Sequence, residues 1–397
     1  MRIGAPELNT AGGEVTWSVR VEGLANAPER LWFALPDQYA GLVTELVDPA
    51  VIGLLVPAMH AGGPMDIRGR VTDELAHSIA YGYQHILEAA IPGLHRVPLE
   101  LADPVPATDA AAGVGTAFSG GIDSFAVLAE HFYRSVPGDL RLTHLSLFNV
   151  GAMTGGEPGR RQFRRLHSLL APAADRIGLP FIPIDSNLDD FYGFTGFVQT
   201  HGPRNLSAAS LLQGGVGRFY FASTHPFGQV AVRRSHSTAY SDPISMPLLG
   251  TRQFRPILHG SQYTRAEKTV IVAEIEESRE SLNVCTTLTA DGRNCSRCSK
   301  CLRTELTLDL SGHLDGYGRV FDLDVYRRAR RAYIDEVASS RDPHLVEIRE
   351  LARRTGVRLP SAGAGLVRHG LRRAARKAGT IRRRLARPAN ESAPMNA

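Results

Sequence analysis

Ser119-Gly120-Gly121-Ile122-Asp123-Ser124 is the stretch that decides how this chain is read. A short apolar run, Val114 to Phe118, leads into it, and a helix-like run, Phe125 to Phe132, leaves it. Strand, Ser/Gly turn and helix in that order build an anion site. Two glycines let the backbone approach a phosphate closely, and a helix start offers unpaired N–H groups and the positive end of a dipole. Ser119 and Ser124 add hydroxyl donors. Asp123 repels phosphate directly and becomes useful by ligating a Mg²⁺ placed between them.

The run has neither the G-x-x-x-x-G-K-[ST] nor the G-x-G-x-x-G spacing of other phosphate loops. It resembles the SGGxDS pyrophosphate loop of the ATP pyrophosphatase superfamily, enzymes that split ATP between the α and β phosphates and transfer AMP. A Gly-Ser turn that only caps a helix is the plainer reading. A six-residue match in strand–turn–helix context argues against it.

All four cysteines of the chain, Cys285, Cys295, Cys298 and Cys301, fall within 17 residues in the spacing C-x9-C-x2-C-x2-C. Four thiolates this close can wrap one tetrahedral Zn²⁺, and a closed Cys₄ shell leaves no open position, so the role is structural. Met1 to Thr10 has no apolar core of a signal peptide and no apolar stretch reaches membrane-spanning length. A cytoplasmic location, where thiols stay reduced, is therefore expected, which favours metal over disulfides. An iron–sulfur cluster on the same thiolates is the rival to zinc.

The two motifs stand in this order about 160 residues apart. Together they resemble 7-cyano-7-deazaguanine synthase, the QueC-like branch of the ATP pyrophosphatases, whose cysteine spacing is one residue shorter in its first gap. Gly202-Pro203-Arg204-Asn205, followed by Leu206 to Gly214, is similar to that branch's GRN block at a helix start. Tyr263-Thr264-Arg265-Ala266-Glu267-Lys268 is similar to its Thr-Lys-x-Glu block. The resemblance covers residues 112–312. It implies an α/β fold with a doubly wound parallel sheet (PP-loop, HUP-like) and ATP, Mg²⁺ and Zn²⁺ as bound species. The activity implied is a C–N ligase: a carboxylate is adenylated and attacked by ammonia or an amine, giving an amide or nitrile.

Ser119, Gly120, Gly121 and Ser124 are then the phosphate cradle, and Asp123 the Mg²⁺ ligand. Arg204, read near a helix start, pairs with a phosphate oxygen, against a surface salt bridge as the bland alternative. Asn205 donates to phosphate or substrate. Lys268 and Arg265 supply positive charge near the α-phosphate, against a solvated helix face. Asn149, after the second strand, is where the superfamily's backbone meets adenine. The branch's substrate-facing run is replaced here by Ser235 to Pro243, which with His225 and His236 is the candidate substrate contact. The acceptor is accordingly a small carboxylic acid or a protein-borne carboxylate. QueC-like proteins also occur in bacterial antiviral systems, a setting that suits partner-dependent added domains. Thiolation-type tRNA modification and a nucleotide-sensing scaffold stay open as alternatives.

A chain of 397 residues with 43% hydrophobic content suits two or three domains. Residues 368–387 hold nine Arg/Lys and no acid, and without them 36 basic residues face 40 acidic ones. The formal charge of +5 is thus a tail property, and the tail suits RNA or a partner surface. The expected organisation is an α+β domain over 1–105 and a linker at Pro104 to Ala112. The pyrophosphatase-like domain follows over 112–312, with its zinc site at 285–301. A helical extension over 313–360 and a basic, partly disordered tail over 361–397 complete it, with a homodimer as the expected assembly. Strands are expected at Glu14–Leu24, Arg30–Leu35, Met65–Val71, His95–Leu101, Val114–Phe118, Leu142–Val150, Phe181–Ile184 and Arg218–Ser223. Helices are expected at Asp73–Ile91, Gln162–Ile177, Asn205–Gly214, Cys298–Leu310, Leu323–Val337 and Pro343–Thr355.

Overall fold

The structure is a computed structural model that describes residues 1–153, 155–285 and 292–361. It divides into two compact units, Met1–Val284 and Cys285–Ala397. The basic tail, including the Arg-rich run Leu366 to Leu385, lies outside the described residues.

The first unit opens with strands β1 (Arg2–Ile3), β2 (Glu7–Ala11), β3 (Glu14–Glu22) and β4 (Arg30–Pro36), then helix α1 (Asp48–Ala61) and strand β5 (Met65–Thr72). Helices α2 (Asp73–Ser78) and α3 (Gln84–Ala90), joined by a π turn at Ile79–Tyr83, form the single helical run expected over 73–91. Strand β6 (Leu99–Val105) follows. It begins later than expected and takes Pro104 and Val105 out of the linker by pairing them with Val71 and Thr72. The second half alternates β7 (Gly113–Ala117), α4 (Ile122–Leu128), β8 (His144–Phe148), α5 (Gly156–Ile177), β9 (Phe181–Ser186), α6 (Phe197–Ser210), β10 (Val216–Ala222) and α7 (Asp242–Ser245). It closes with β11 (Arg255–His259), α8 (Arg265–Val272) and α9 (Ser278–Ser281). β11 was not among the expected strands.

Among the described residues, eleven strands make one sheet in the order β11-β10-β7-β8-β9-β4-β3-β1-β5-β6, with β2 pairing β3. The block from β11 to β9 is parallel throughout. The chain leaves β7 for β8 and β9 on one side, then returns to β10 and β11 on the other, so β7 is the switch point where ligands settle in open α/β sheets.

Residues 1–105 do not stand apart from this block. β4 pairs antiparallel with β9 through Phe33 opposite Ser186 and Ala34 opposite Asp185. Asn187 closes the seam, accepting from Trp32 N–H at 2.9 Å and donating to the Arg30 carbonyl at 2.8 Å. One buried core runs from Trp17 and Phe33 through α1 to Phe219 and Phe254. The cause is the composition of α1: twelve of its fourteen residues are buried, so it is apolar all round and needs cover on every side. It packs on α6, where Ser207 donates to the Pro49 carbonyl, and on the segment after β9, where Tyr192 donates to the Gly53 carbonyl, both at 2.6 Å. The second compact unit likewise starts at 285, inside the range expected for the pyrophosphatase-like domain.

The second unit holds α10 (Ser299–Leu310), α11 (Leu323–Ser339) and α12 (Pro343–Arg354), mutually packed. Asp322 and Asp342 cap the last two, accepting from the N–H groups of their first turns. No helix of the described residues is long and apolar enough to cross a membrane.

The α1–α6 contact generates a test. A Cβ on Gly53 would lie 2.5 Å from Ser207 Oγ and 3.1 Å from Ser207 Cβ. Helix propensity alone favours Ala over Gly by about 1 kcal/mol. Packing wins here: Gly53→Ala is expected to destabilise by about 1–3 kcal/mol in denaturant unfolding. Combining it with Ser207→Ala should recover part of that loss, and strict additivity would refute the contact.

Candidate active site and metal centre

The glycine turn sits directly after the switch-point strand. Gly120 has φ +71°, and a Cβ there would meet Leu170 Cδ2 at 2.6 Å and the Ser281 carbonyl at 3.0 Å, so only glycine fits. Gly121 is the extended N-cap of α4, with no side-chain cap, and the helix continues through a π turn to Tyr133. Ser119 is exposed beside the turn. Ser124 is 4% exposed and donates to the Gly121 carbonyl at 3.0 Å, bracing the turn from within. Asn283, missed from sequence, clamps the loop: its N–H donates to the Gly120 carbonyl at 2.7 Å and its amide to the Ser119 carbonyl at 3.3 Å. At 164 residues from Ser119 it leaves no local signal.

Two cations meet Asp123. Arg265 donates to Oδ2 at 2.5 Å and Lys268 to Oδ1 at 3.2 Å. The Lys268 side chain is 2% exposed, so it lies at the floor of the site and not on a solvated helix face. Its ammonium also donates to the Ser223 carbonyl at 2.6 Å and to Ser223 Oγ at 3.2 Å. Gly260, at φ +97°, makes the passage: a Cβ would stand 3.1 Å from Nζ. Thr264 and Glu267 form a capping box at the start of α8, which fixes where Arg265 and Lys268 emerge. Ser223 and Gly260, at the ends of β10 and β11, carried no motif.

Arg204 is placed otherwise than expected. α6 starts at Phe197, so Gly202 to Asn205 lies inside the helix and not at its start. Arg204 is 1% exposed and committed. It donates to Asp189 at 2.5 Å, to Thr200 Oγ1 at 2.9 Å and to the Val150 carbonyl at 3.3 Å, with its guanidinium 3.7 Å over the Tyr192 ring. It pins α6 to the segments after β8 and β9, its buried guanidinium pairing with a carboxylate, Asp189, that is 36% exposed. Asn205 donates to the His201 carbonyl at 2.7 Å within its own helix. Asn149 donates to Asp185 at 2.6 Å. With Gly151, Asp189, Asp190 and Arg160 it lines a cavity of about 20 Å³, room for one water-sized molecule. The expected residues thus fall into two groups: Ser119 to Ser124 with Arg265 and Lys268 around β7, β10 and β11, and Asn149 with Arg204 around β8 and β9.

The candidate substrate segment is held by α6. Gln199 donates to the Ser235 carbonyl at 3.1 Å, and Thr238 donates to the Gln199 carbonyl at 3.0 Å. His225 stacks on Tyr240 at 3.9 Å, and Arg233 lies 5.0 Å from the same ring. His236 is exposed. His225 Nδ1 also lies 3.0 Å from Gln229 Oε1, and a histidine paired with a carboxylate beside this segment is one the sequence did not flag. His201 Nε2 lies 2.9 Å from Asp242 and Nδ1 3.1 Å from the Val198 carbonyl, so both ring nitrogens face acceptors. Burial pulls the His201 pKa down, but the Asp242 charge and hydrogen bond outweigh it and hold it above the ordinary value.

In the second unit the four sulfur atoms lie within 4.8 Å of one another. Three separations are 3.4 Å (Cys298–Cys301), 3.8 Å (Cys285–Cys298) and 3.9 Å (Cys295–Cys301). A tetrahedron with Zn–S bonds of about 2.3 Å has sulfur edges of about 3.8 Å. None of the four is in a disulfide, and their spacing far exceeds a disulfide bond of about 2.05 Å. The four cysteines are positioned to bind one metal ion, compatible with zinc. Cys298 caps α10 by accepting from Cys301 N–H. Asn294, 3% exposed, accepts from Cys285 N–H at 3.0 Å and ties the knuckle to Val320. Burial raises the Cys295 thiol, yet the N–H groups of Arg297 and Cys298 prevail and bring it down to about 7, which favours thiolate.

Metal analysis of the purified chain should find about one zinc per chain, and Cys301→Ser should abolish it while sharply lowering the unfolding midpoint. Iron with absorption in the visible range would instead assign the centre to a cluster. For His201 the sign is fixed by its raised pKa. The pair with Asp242 contributes fully below the ordinary value of about 6.5 and is lost as pH rises through the elevated one. Wild type should therefore lose stability on going alkaline, and His201→Gln should flatten that slope; an unchanged slope would remove the pair from the account.

Compared with known proteins, the chain matches no family model, no curated protein and no solved structure.

Proposed function

We propose that the chain is an ATP-dependent C–N ligase of the QueC-like kind, built on a PP-loop (HUP-like) sheet and working in the cytoplasm. It adenylates a carboxylate, releasing pyrophosphate, and ammonia or an amine then displaces AMP. The observation that carries this reading is the joining of Asp123 to Arg265 and Lys268 beside a glycine turn at the switch point.

The residues fit a triphosphate. The turn is bare of side chains at Gly120 and Gly121, and two cations stand beside it. Arg265, 18% exposed, is the mobile-length cation that can follow a phosphate. Lys268 is locked and acts as a fixed charge on the leaving pyrophosphate, where preorganised charge acts most strongly. Asp123, 21% exposed, orients both and is the carboxylate that would hold Mg²⁺. A bound Mg²⁺ supplies charge neutralisation between that carboxylate and the phosphates. Asn149, after β8, would serve the nucleoside end. Arg204 serves as the strut that sets α6 and the segments after β8 and β9, and so positions the walls. The Cys₄ centre has no open position and is read as structural zinc.

The test is product analysis: ATP, Mg²⁺, ammonium and a panel of carboxylic acids that includes 7-carboxy-7-deazaguanine, with AMP plus pyrophosphate separated from ADP plus phosphate. Acid-dependent AMP supports the ligase; AMP that appears only with RNA moves the chain to tRNA modification. Lys268→Met should lower AMP formation by about 10²–10³, because Asp123 keeps Arg265 and the fold survives. Asp123→Ala should also unfold more easily, by about 3–5 kcal/mol, since it strands a buried ammonium. Full turnover by Lys268→Met would sink the assignment.

A further inference from the structure

A groove of about 1250 Å³ opens at the amino-terminal ends of β10 and β11, lined among others by Arg218, Arg252, Arg255, His77, Asp73 and Glu74. β7, β10 and β11 are parallel, so this is the opposite end of the sheet from the glycine turn. The groove is larger than the 20 Å³ cavity near Asn149 and shares no residue with it.

Its floor has an unusual charge pattern. Arg218 and Arg255 are register partners on neighbouring parallel strands, so their side chains leave the same face side by side. Adjacent strands are about 4.8 Å apart, and like charges directly opposite one another destabilise a sheet. The compensation within the protein is incomplete. Arg218 reaches Asp139 at 3.4 Å, and that carboxylate is 65% exposed. Arg255 makes no side-chain hydrogen bond or ion pair among the described residues. Arg252 adds a third guanidinium at the rim, fixed by a 2.5 Å bond to the Ala107 carbonyl and by its own N–H to Glu74 at 2.6 Å. Apolar packing gives no reason to set two guanidiniums at one register; an anion bridging them does.

We propose that this groove binds a phosphate-bearing small molecule of nucleotide size, with Arg218 and Arg255 as its phosphate-binding pair. The facing wall decides between sources of phosphate. Asp73 and Glu74 would repel a continuous phosphodiester backbone, whereas carboxylates suit the hydroxyls or exocyclic amine of a nucleoside. The inference does not depend on the ligase reading, because it uses the other end of the sheet.

The experiment is calorimetric and thermal titration of the full chain with inorganic phosphate and with AMP at low salt. A Ser119→Glu background, in which a new carboxylate obstructs the glycine turn, isolates the second site. Binding should persist in that background, and adding Arg255→Gln or Arg218→Gln should weaken it by about tenfold or more, the loss expected for a charge-assisted hydrogen bond. In phosphate-free buffer Arg255→Gln should melt slightly higher than wild type, since it relieves like-charge repulsion, and this also shows that the variant folds. Abolition of all binding by Ser119→Glu alone, or affinity unchanged by both arginine variants, would overturn the proposal. So would a short RNA that binds through the two arginines when phosphate and AMP do not.

Discussion

A lysine ammonium with 2% of its side chain exposed must find its counter-charge inside the protein. Lys268 finds it in Asp123, and much of the candidate site follows from that one requirement. Its stem needs a passage without a Cβ, which Gly260 gives. Its remaining protons need an acceptor, which the Ser223 carbonyl gives. Its helix must start at one defined place, which the Thr264–Glu267 box gives. One pair thereby ties β10, β11 and α8 to the start of α4. It also means that a phosphate bound at the turn would compete with Asp123 for the same two cations.

The second constraint is α1. A helix with no polar face cannot border solvent, and it lies between the strands of the first hundred residues and α6. That contact makes the amino-terminal region part of the same core as the parallel block, and the short β4–β9 pairing makes it part of the same sheet. The walls of the candidate site are supported from this side: Tyr192, which receives Arg204 on its ring, donates its hydroxyl to α1. A disturbance in α1 therefore reaches the segment after β9 without touching any phosphate contact.

The second unit solves a different problem. Its described helices α10 to α12 run 12, 17 and 12 residues, and two of its cysteines, Cys298 and Cys301, stand at the start of α10. A metal ion bound by the four thiolates would add a cross-link to the apolar packing of these helices. Asn294 and the cap at Cys298 hold the cysteines in an arrangement that could bind a metal ion.

Much of this protein could be read from neighbouring residues. The alternation of β3, the apolar runs of β7 to β10, the helices α5, α11 and α12, the glycine turn and the cysteine spacing each depend on residues a few positions apart, and each was legible. What the tertiary structure decided are matters of long-range contact. α1 gave no period because burial on all sides erases the period. Arg204 was read at a helix start because the preceding turn, Phe197 to Thr200, has no cap and holds a glycine and a proline close behind it. Asn283 and Ser223 join the site across 164 and 45 residues from the groups they touch. Composition and periodicity report the local tendency of a segment and its need for burial; which segment satisfies that need is settled only when the chain is packed.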